Sequence, residues 1–261
     1  MSTIEQFKKQ YYETSLMPCL KVKDSIMDEI EKEVRTLLKT YQTSGVNKEI
    51  HNINLTKPYG KYTQSSLYNT SGNTFDFSTD YKMSNKDKFF FDPSFNNIHN
   101  IFKLFQNSII NLRLNGMSKN SGVSPHKVMS NKYGKKFRCR FHLPVITNSS
   151  AWVMLDWRKY WLKRGIIYFF NNGSVHSAGN DSERTRYHLA WDCMLDYNMF
   201  DNFLNIENNY NPNPNLVSKI PKEEIKDLLY SEPCEETDYE IEKIKFRIRL
   251  VRMLKSTIPS F

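Results

Sequence analysis

The residues able to do chemistry gather between positions 124 and 188, a stretch holding four of the chain's six histidines. They stand in four short motifs: Ser124-Pro125-His126, Arg138-Cys139-Arg140-Phe141-His142-Leu143-Pro144, Asn171-Asn172-Gly173-Ser174-Val175-His176, and Arg184-Thr185-Arg186-Tyr187-His188-Leu189. Imidazole is the commonest protein ligand for iron and zinc, and a guanidinium held in a strand is a natural seat for a carboxylate. Histidine and arginine interleaved in this way point to a metal beside an anionic small molecule.

Elements of two periods must position these groups. Lys136 to Ile146, Gly165 to Phe170 and Thr185 to Met194 read as strands, punctuated by Gly122, Gly134, Gly173 and Gly179-Asn180. A strand period of two sets Arg138, Arg140, His142 and Pro144 on one face, with Phe141, Leu143 and Val145 on the other. Arg186 and His188 share a face in the same manner. In a closed or sandwiched sheet that row lines the interior and is costly unless an anion and a metal satisfy it; otherwise it faces solvent. Alternation alone leaves both placements open.

Around this centre the period is helical. Asp24 reads as an N-cap for a helix from about Ser25 to Lys39, with Ile26, Ile30, Val34 and Leu37 on one face. Ile98 to Leu114 reads as a buried helix ending at Asn115-Gly116. Residues 52–91, rich in Tyr, Thr, Ser, Asn and Gly, read as irregular strands and loops. In the tail, Ser218 with Pro221 starts a short helix, and Thr237-Asp238 opens a longer one carrying Ile241, Ile244, Phe246, Ile248, Leu250, Val251 and Leu254.

Composition bounds the rest. The 261 residues suffice for one large domain, and 39% hydrophobic with 14% aromatic content argues against disorder. No apolar run reaches membrane-span length and the start lacks a signal-peptide pattern, so a cytoplasmic protein without membrane association is expected. Cys19, Cys139, Cys193 and Cys234 are scattered with no CxxC pair, which gives neither a zinc knuckle nor a disulfide framework. The net charge of +9 comes from dispersed lysines and forms no basic block, so a nucleic-acid partner is not expected.

Pro125-His126, Arg140-Phe-His142-Leu, His176 and Arg186-Tyr-His188-Leu-Ala-Trp-Asp192, in that order and with ten residues from His176 to Arg186, resemble the aspartyl/asparaginyl β-hydroxylase branch of the Fe(II)/2-oxoglutarate-dependent oxygenases. The resemblance covers about Gly122 to Asp192. It implies a mainly β fold with helical flanks: a double-stranded β-helix (cupin-like jelly roll) core buttressed by α-helices. One oxygenase domain over 1–261 is expected, with an N-terminal helix and irregular strands over 1–95, the β-helix core over 96–200 and a helical extension over 201–261. The resemblance makes His126 and His176 the iron ligands. Arg186 would grip the distal carboxylate of 2-oxoglutarate, with Arg140 and His142 contributing from the neighbouring strand. Two neutral imidazoles hold Fe(II) while leaving positions for a bidentate oxo acid and O₂, and a guanidinium suits the far carboxylate. The implied reaction hydroxylates an unactivated C–H of an amino acid, peptide or protein side chain and releases succinate and CO₂.

Most oxygenases of this type carry His-x-Asp/Glu; here Val128 stands where the carboxylate would be, and the β-hydroxylases carry glycine there. Lys132 to Lys136 looks like an inserted turn between His126 and Arg140. A competing assignment makes His142 the first ligand; His126 is preferred because it follows Pro125 as the family's ligand does. Asp192, six residues past Arg186 on one strand and ~20 Å along extended chain, is an unlikely third ligand. His51 and His99 read as surface or helix residues, and His188 as either a core histidine or a co-substrate contact. Trp152, Trp157 and Trp161 read as packing or a substrate lid. Asn180 either orients His176 or caps a turn. Two other outcomes fit the residues: a halogenase using the position that Val128 frees, or a catalytically silent ligand-binding barrel. The substrate expected is a small molecule or peptide resembling an amino acid.

Overall fold

The computed structural model of the protein describes residues 13–43, 58–59, 62–69, 94–105, 108–127, 132–133, 136–204 and 213–234, together with 5, 9 and 11. Helix α1 (Asp24–Thr43) begins with an acidic residue in its first turn, which favours the helix N-terminus. Met27, Ile30, Val34 and Leu37, spaced three and four apart, are fully buried. The opposite face carries the Arg35–Glu31 pair at i,i+4. That buried stripe packs into a core cluster with Phe141, Leu143, Val145, Ile167, Phe169, Leu189, Trp191 and Cys193.

These partners are alternate residues of strands β7 (Lys136–Ile146), β10 (Ile166–Phe170) and β12 (Arg186–Leu195). The three belong to an antiparallel sheet ordered β13-β1-β10-β7-β12-β4-β3, where β13 is Val217–Ser218, β1 Leu16–Val22, β4 Ile109–Met117 and β3 Tyr62–Tyr68. A short strand β6 (Lys132–Tyr133) pairs with β7 outside this path. A second sheet is ordered β14-β9-β8-β11-β5-β2, with β14 Ser231–Pro233, β9 Arg158–Tyr160, β8 Ala151–Leu155, β11 His176–Asn180, β5 Ser121–His126 and β2 Pro58–Tyr59. Between the sheets, Tyr168 and Phe170 from the first meet Val153 and Leu155 from the second in a separate apolar cluster. The fold is thus the expected two-sheet cupin-like barrel, with α1 and α2 (Asn96–Lys103) buttressing the outer face of one sheet.

The helix expected over Ile98 to Leu114 is corrected. Helix α2 ends at Lys103, and Ile109–Met117 is strand β4, paired with β12 from Cys193↔Ile109 to Arg186↔Met117. Leu112 and Leu114 alternate with Asn111, Arg113 and Asn115, so period two describes the segment; the apolar residues alone fit either period. Gly116 is a sheet residue and no helix cap. A Cβ there would lie 2.5 Å from the Thr63 hydroxyl and 2.8 Å from the Tyr187 ring, so any larger residue would force those side chains of the flanking strands to move.

After β12 come helix α3 (Tyr197–Leu204) and, past residue 212, β13, helix α4 (Lys222–Leu228) and β14. Pro221 precedes the first turn of α4, as the sequence indicates. The described C-terminal residues therefore add a strand to each sheet as well as a helix. The helix expected after Asp238 lies outside the described residues. Among those described, no helix is long and apolar enough to cross a membrane.

Candidate active site

His126 ends β5 and His176 opens β11; the two are register partners across the antiparallel pair, with ring centroids 4.0 Å apart. His176 is buried, and its Nδ1 lies 2.9 Å from the Ser174 carbonyl oxygen. A carbonyl only accepts, so Nδ1 carries the proton and Nε2 keeps its lone pair. Nε2 is buried with no hydrogen-bond partner among the described residues. Burial, reinforced by the neighbouring His126, holds the imidazole well below its usual pKa and therefore neutral. A ring oriented by a backbone carbonyl and offering an unused lone pair is the ordinary arrangement of a metal-binding histidine. The donor set fits Fe(II). No group of three His, Cys, Asp or Glu side chains able to hold a metal occurs among the described residues. Val128 lies outside the described residues.

The Arg–His row faces the interior. Arg138, Arg186 and His188 are buried, and Arg140 and His142 half-buried. Ring contacts run without a break from the histidine pair into that row: His176 to Phe170 at 5.3 Å, Phe170 to His142 at 4.8 Å, and His142 to His188 at 6.0 Å. Burial, helped by Arg140 and Arg186, pulls the His142 pKa down to about 3.

Arg186 carries the clearest demand for a ligand. Its Nη1 donates to His188 Nδ1 at 2.7 Å and its Nη2 to the Met117 sulfur at 2.8 Å, while Nε has no partner among the described residues. An imidazole and a thioether do not neutralise a guanidinium. Burial pulls the Arg186 pKa down to about 10, opposed only by the Tyr62 phenol, so the group remains a buried cation at neutral pH. Such a charge is costly until an anion meets it.

Arg140 is placed differently. Asp192, fully buried on β12, accepts from Arg140 Nε at 2.8 Å and Nη2 at 3.1 Å, from Arg138 Nη2 at 2.5 Å and from Asn111 Nδ2 at 2.9 Å. These guanidiniums hold its carboxyl well below the usual range despite its burial. Asp192 thus orients the arginines, in keeping with its exclusion as a ligand.

Asn180 serves the turns. Its amide donates to the carbonyls of Met117 and Arg184, both at 2.8 Å, and its oxygen accepts from the Ser182 hydroxyl at 3.0 Å. Ser174 holds His176 instead. Trp152 lies across Gly179, where a Cβ would come within 2.4 Å of the ring, with its Nε1 bonded to Asp181 and Lys159 above it. It packs on its own sheet. Trp161 neighbours Tyr230 at 6.0 Å, and Trp157 sits in the β8–β9 turn at φ 66°. His99 lies on α2 and His51 outside the described residues. Sequence reasoning missed Tyr62, whose phenol interacts with Arg186 and accepts from Gln64, and also Asn111, Arg113 and Met117 of β4. The alternation of β4 was the available signal for the last three; nothing singled out Tyr62 among its many aromatic neighbours.

Comparison with known proteins gives the class. The model of the family described as aspartyl/asparaginyl beta-hydroxylase matches residues 25–195, and the chain belongs to that family. It is an oxygenase of the Fe(II)/2-oxoglutarate-dependent hydroxylase type. Similar solved structures include AviO1 from Streptomyces viridochromogenes, 9% identical, covering 74% of this chain and 93% of that one at a TM-score of 0.46. Others are the viral collagen prolyl hydroxylase of Paramecium bursaria Chlorella virus-1 in its 2OG complex (10% identical, 70% and 98% covered, TM-score 0.42) and a Pseudomonas putida prolyl-4-hydroxylase (10%, 73% and 98%, TM-score 0.40). No curated protein sequence matches the chain.

Proposed function

We propose that the protein hydroxylates an unactivated C–H bond of an amino acid, a peptide or a protein side chain. In this reading His126 and His176 hold Fe(II), and Arg186 pairs with the distal carboxylate of 2-oxoglutarate. The observation that carries it is the pairing of a buried Nε2 on His176 with a buried guanidinium at Arg186, neither of which meets an anion or a full set of partners among the described residues, linked by one run of interior rings. When bound, iron and 2-oxoglutarate supply the oxidising power, coupling decarboxylation of the oxo acid to succinate with insertion of one oxygen atom from O₂ into the substrate.

The chain's own residues bind and aim. Ser174 fixes the tautomer of His176. Neutral imidazoles at 176, 142 and 188 add no positive charge beside a cation. The apolar cluster of Val153, Leu155, Tyr168 and Phe170 closes the space between the sheets and keeps water from it.

The test is 2-oxoglutarate turnover to succinate over a panel of amino acids and peptides, with product masses. A gain of one oxygen supports hydroxylation; a gain of chlorine points to the halogenase alternative. His126→Ala and His176→Ala are each expected to abolish turnover and the visible charge-transfer band that Fe(II) and 2-oxoglutarate give anaerobically. Turnover surviving loss of both histidines overturns the assignment.

A further inference from the structure

We infer that Tyr62 is a further co-substrate residue: its phenol O–H, reaching in from β3 over Met117, donates to the same carboxylate that Arg186 grips. This rests on the proposed binding of 2-oxoglutarate at Arg186.

Register puts the two side chains together. Tyr62 of β3 and Arg186 of β12 are both partners of Met117 in β4, one on each side, so the three form a single row across neighbouring strands. Residues paired in this way share a face of the sheet. Two strand spacings, ~10 Å, separate the outer backbones of the row, a gap that two long side chains leaning over a methionine close. The guanidinium leans that way. His188 occupies Nη1, while Nη2 lies 2.8 Å from the Met117 sulfur. Nη2 and Nε–H form one edge of the planar fork, the edge that a carboxylate meets with both oxygens. The Met117 contact brings the Nη2 end of that edge to β4, on the side of β3, and Nε has no partner among the described residues. A thioether is a weak, uncharged acceptor and yields Nη2 to an anion.

The phenol has a proton to give. Gln64 Nε2 donates to its oxygen at 2.5 Å, which turns a lone pair to Gln64 and leaves the O–H as a donor. That O–H has no acceptor among the described residues. Burial raises the phenol's pKa, so the proton stays in place at neutral pH. Of the charges around Tyr62, Arg186 acts on it most strongly, and at Arg186 the phenol is what opposes burial. A hydroxyl proton swings about its C–O bond and aims at whichever acceptor lies beside the oxygen. An O–H and a cationic N–H edge brought together over Met117 call for a group that only accepts and carries negative charge. The distal carboxylate of 2-oxoglutarate is that group. Its charge pairs with Arg186, and Tyr62 adds a donor without adding a second cation.

The experiment measures, by calorimetry on the anaerobic Fe(II)-loaded full chain, binding of 2-oxoglutarate and of 2-oxobutanoate, which lacks the distal carboxylate. Tyr62→Phe keeps the ring and removes only the O–H. It is expected to weaken 2-oxoglutarate on the order of ten- to a hundredfold, the range for a hydrogen bond to a charged group, and to leave 2-oxobutanoate unchanged. Wild-type affinity for 2-oxoglutarate in Tyr62→Phe overturns the inference, as does an equal loss for both ligands, which marks a structural role. If the variant does not fold, a crystal structure of the wild type loaded with Zn(II) and 2-oxoglutarate decides. A phenol oxygen within hydrogen-bond distance of the distal carboxylate supports the inference; a longer separation overturns it. Wild type that fails to bind 2-oxoglutarate removes the underlying reading and this inference together. Wild type that binds it while Tyr62→Phe binds it equally well removes only the role of Tyr62.

Discussion

Arg138 and Arg140 approach one buried carboxylate on Asp192, and the balance at that residue decides whether the interior keeps its shape. Asp192→Asn is nearly the same size but removes the charge that two guanidiniums face. Breaking a buried pair by deleting one partner typically costs ~3–5 kcal/mol. The expected outcome is a loss of that order in urea-unfolding free energy, with Arg140 released from its bidentate hold. A variant as stable as wild type would mean that the arginines find other acceptors. Arg186 differs in kind, because its acceptor is expected from outside the chain. Arg140 and Arg186 look alike in the sequence, both two residues before a histidine, and only the structure separates the one paired with a carboxylate from the one that meets none among the described residues.

Among the elements, the sheet of β7, β10 and β12 has chemistry on one face and oil on the other. Ile30 of α1 contributes to the outer side and is fully buried. Ile30→Ala is expected to cost ~2–5 kcal/mol, the range for large-to-small core changes, with 2-oxoglutarate affinity unaltered because the sheet lies between helix and site. Denaturation and calorimetry on the same variant check both halves. Much of this sheet was legible in advance. The alternation Arg138, Arg140, His142 against Phe141, Leu143, Val145 gave the strand and its two faces, though not which face was interior; that depends on the helices covering the apolar side. Helix α1 was legible from its stripe. β4 was not, because Ile109, Leu112 and Leu114 satisfy both periods locally and pairing with β12 decides the outcome. The histidine pair was legible through a family motif, whereas the Asp192 clamp and the Arg186–His188 contact depend on cross-strand and same-face geometry that spacing alone does not rank.

For the molecule as a whole, the interior histidines set a limit at acid pH. His142, His176 and His188 are held neutral below their ordinary value of 6.5, to about 3 for His142. Between those limits the unfolded chain binds more protons than the folded one, so their stabilising contribution is full above about pH 6.5 and is lost as pH falls toward their folded values. Each group contributes up to ~1.4 kcal/mol per pH unit in that window. Asp192, also depressed, adds its own loss only below its ordinary 3.8. The metal-free protein is therefore expected to lose stability steeply from pH 6 to 4, with a slope approaching three protons in urea midpoints measured across that range. A flat profile there contradicts the burial of three neutral imidazoles.

On β7 and β12 the division of labour follows parity: even-numbered positions 138, 140, 142, 186, 188 and 192 point to the cavity, while odd-numbered 141, 143, 189, 191 and 193 hold the scaffold. A one-residue slip in the pairing of either strand would exchange the two sets over the slipped length, and the single register shift the pair carries falls between Tyr187 and His188, at its edge. Substitution at the even sites therefore changes what the cavity meets while leaving in place the odd-numbered residues that pack in the core with α1.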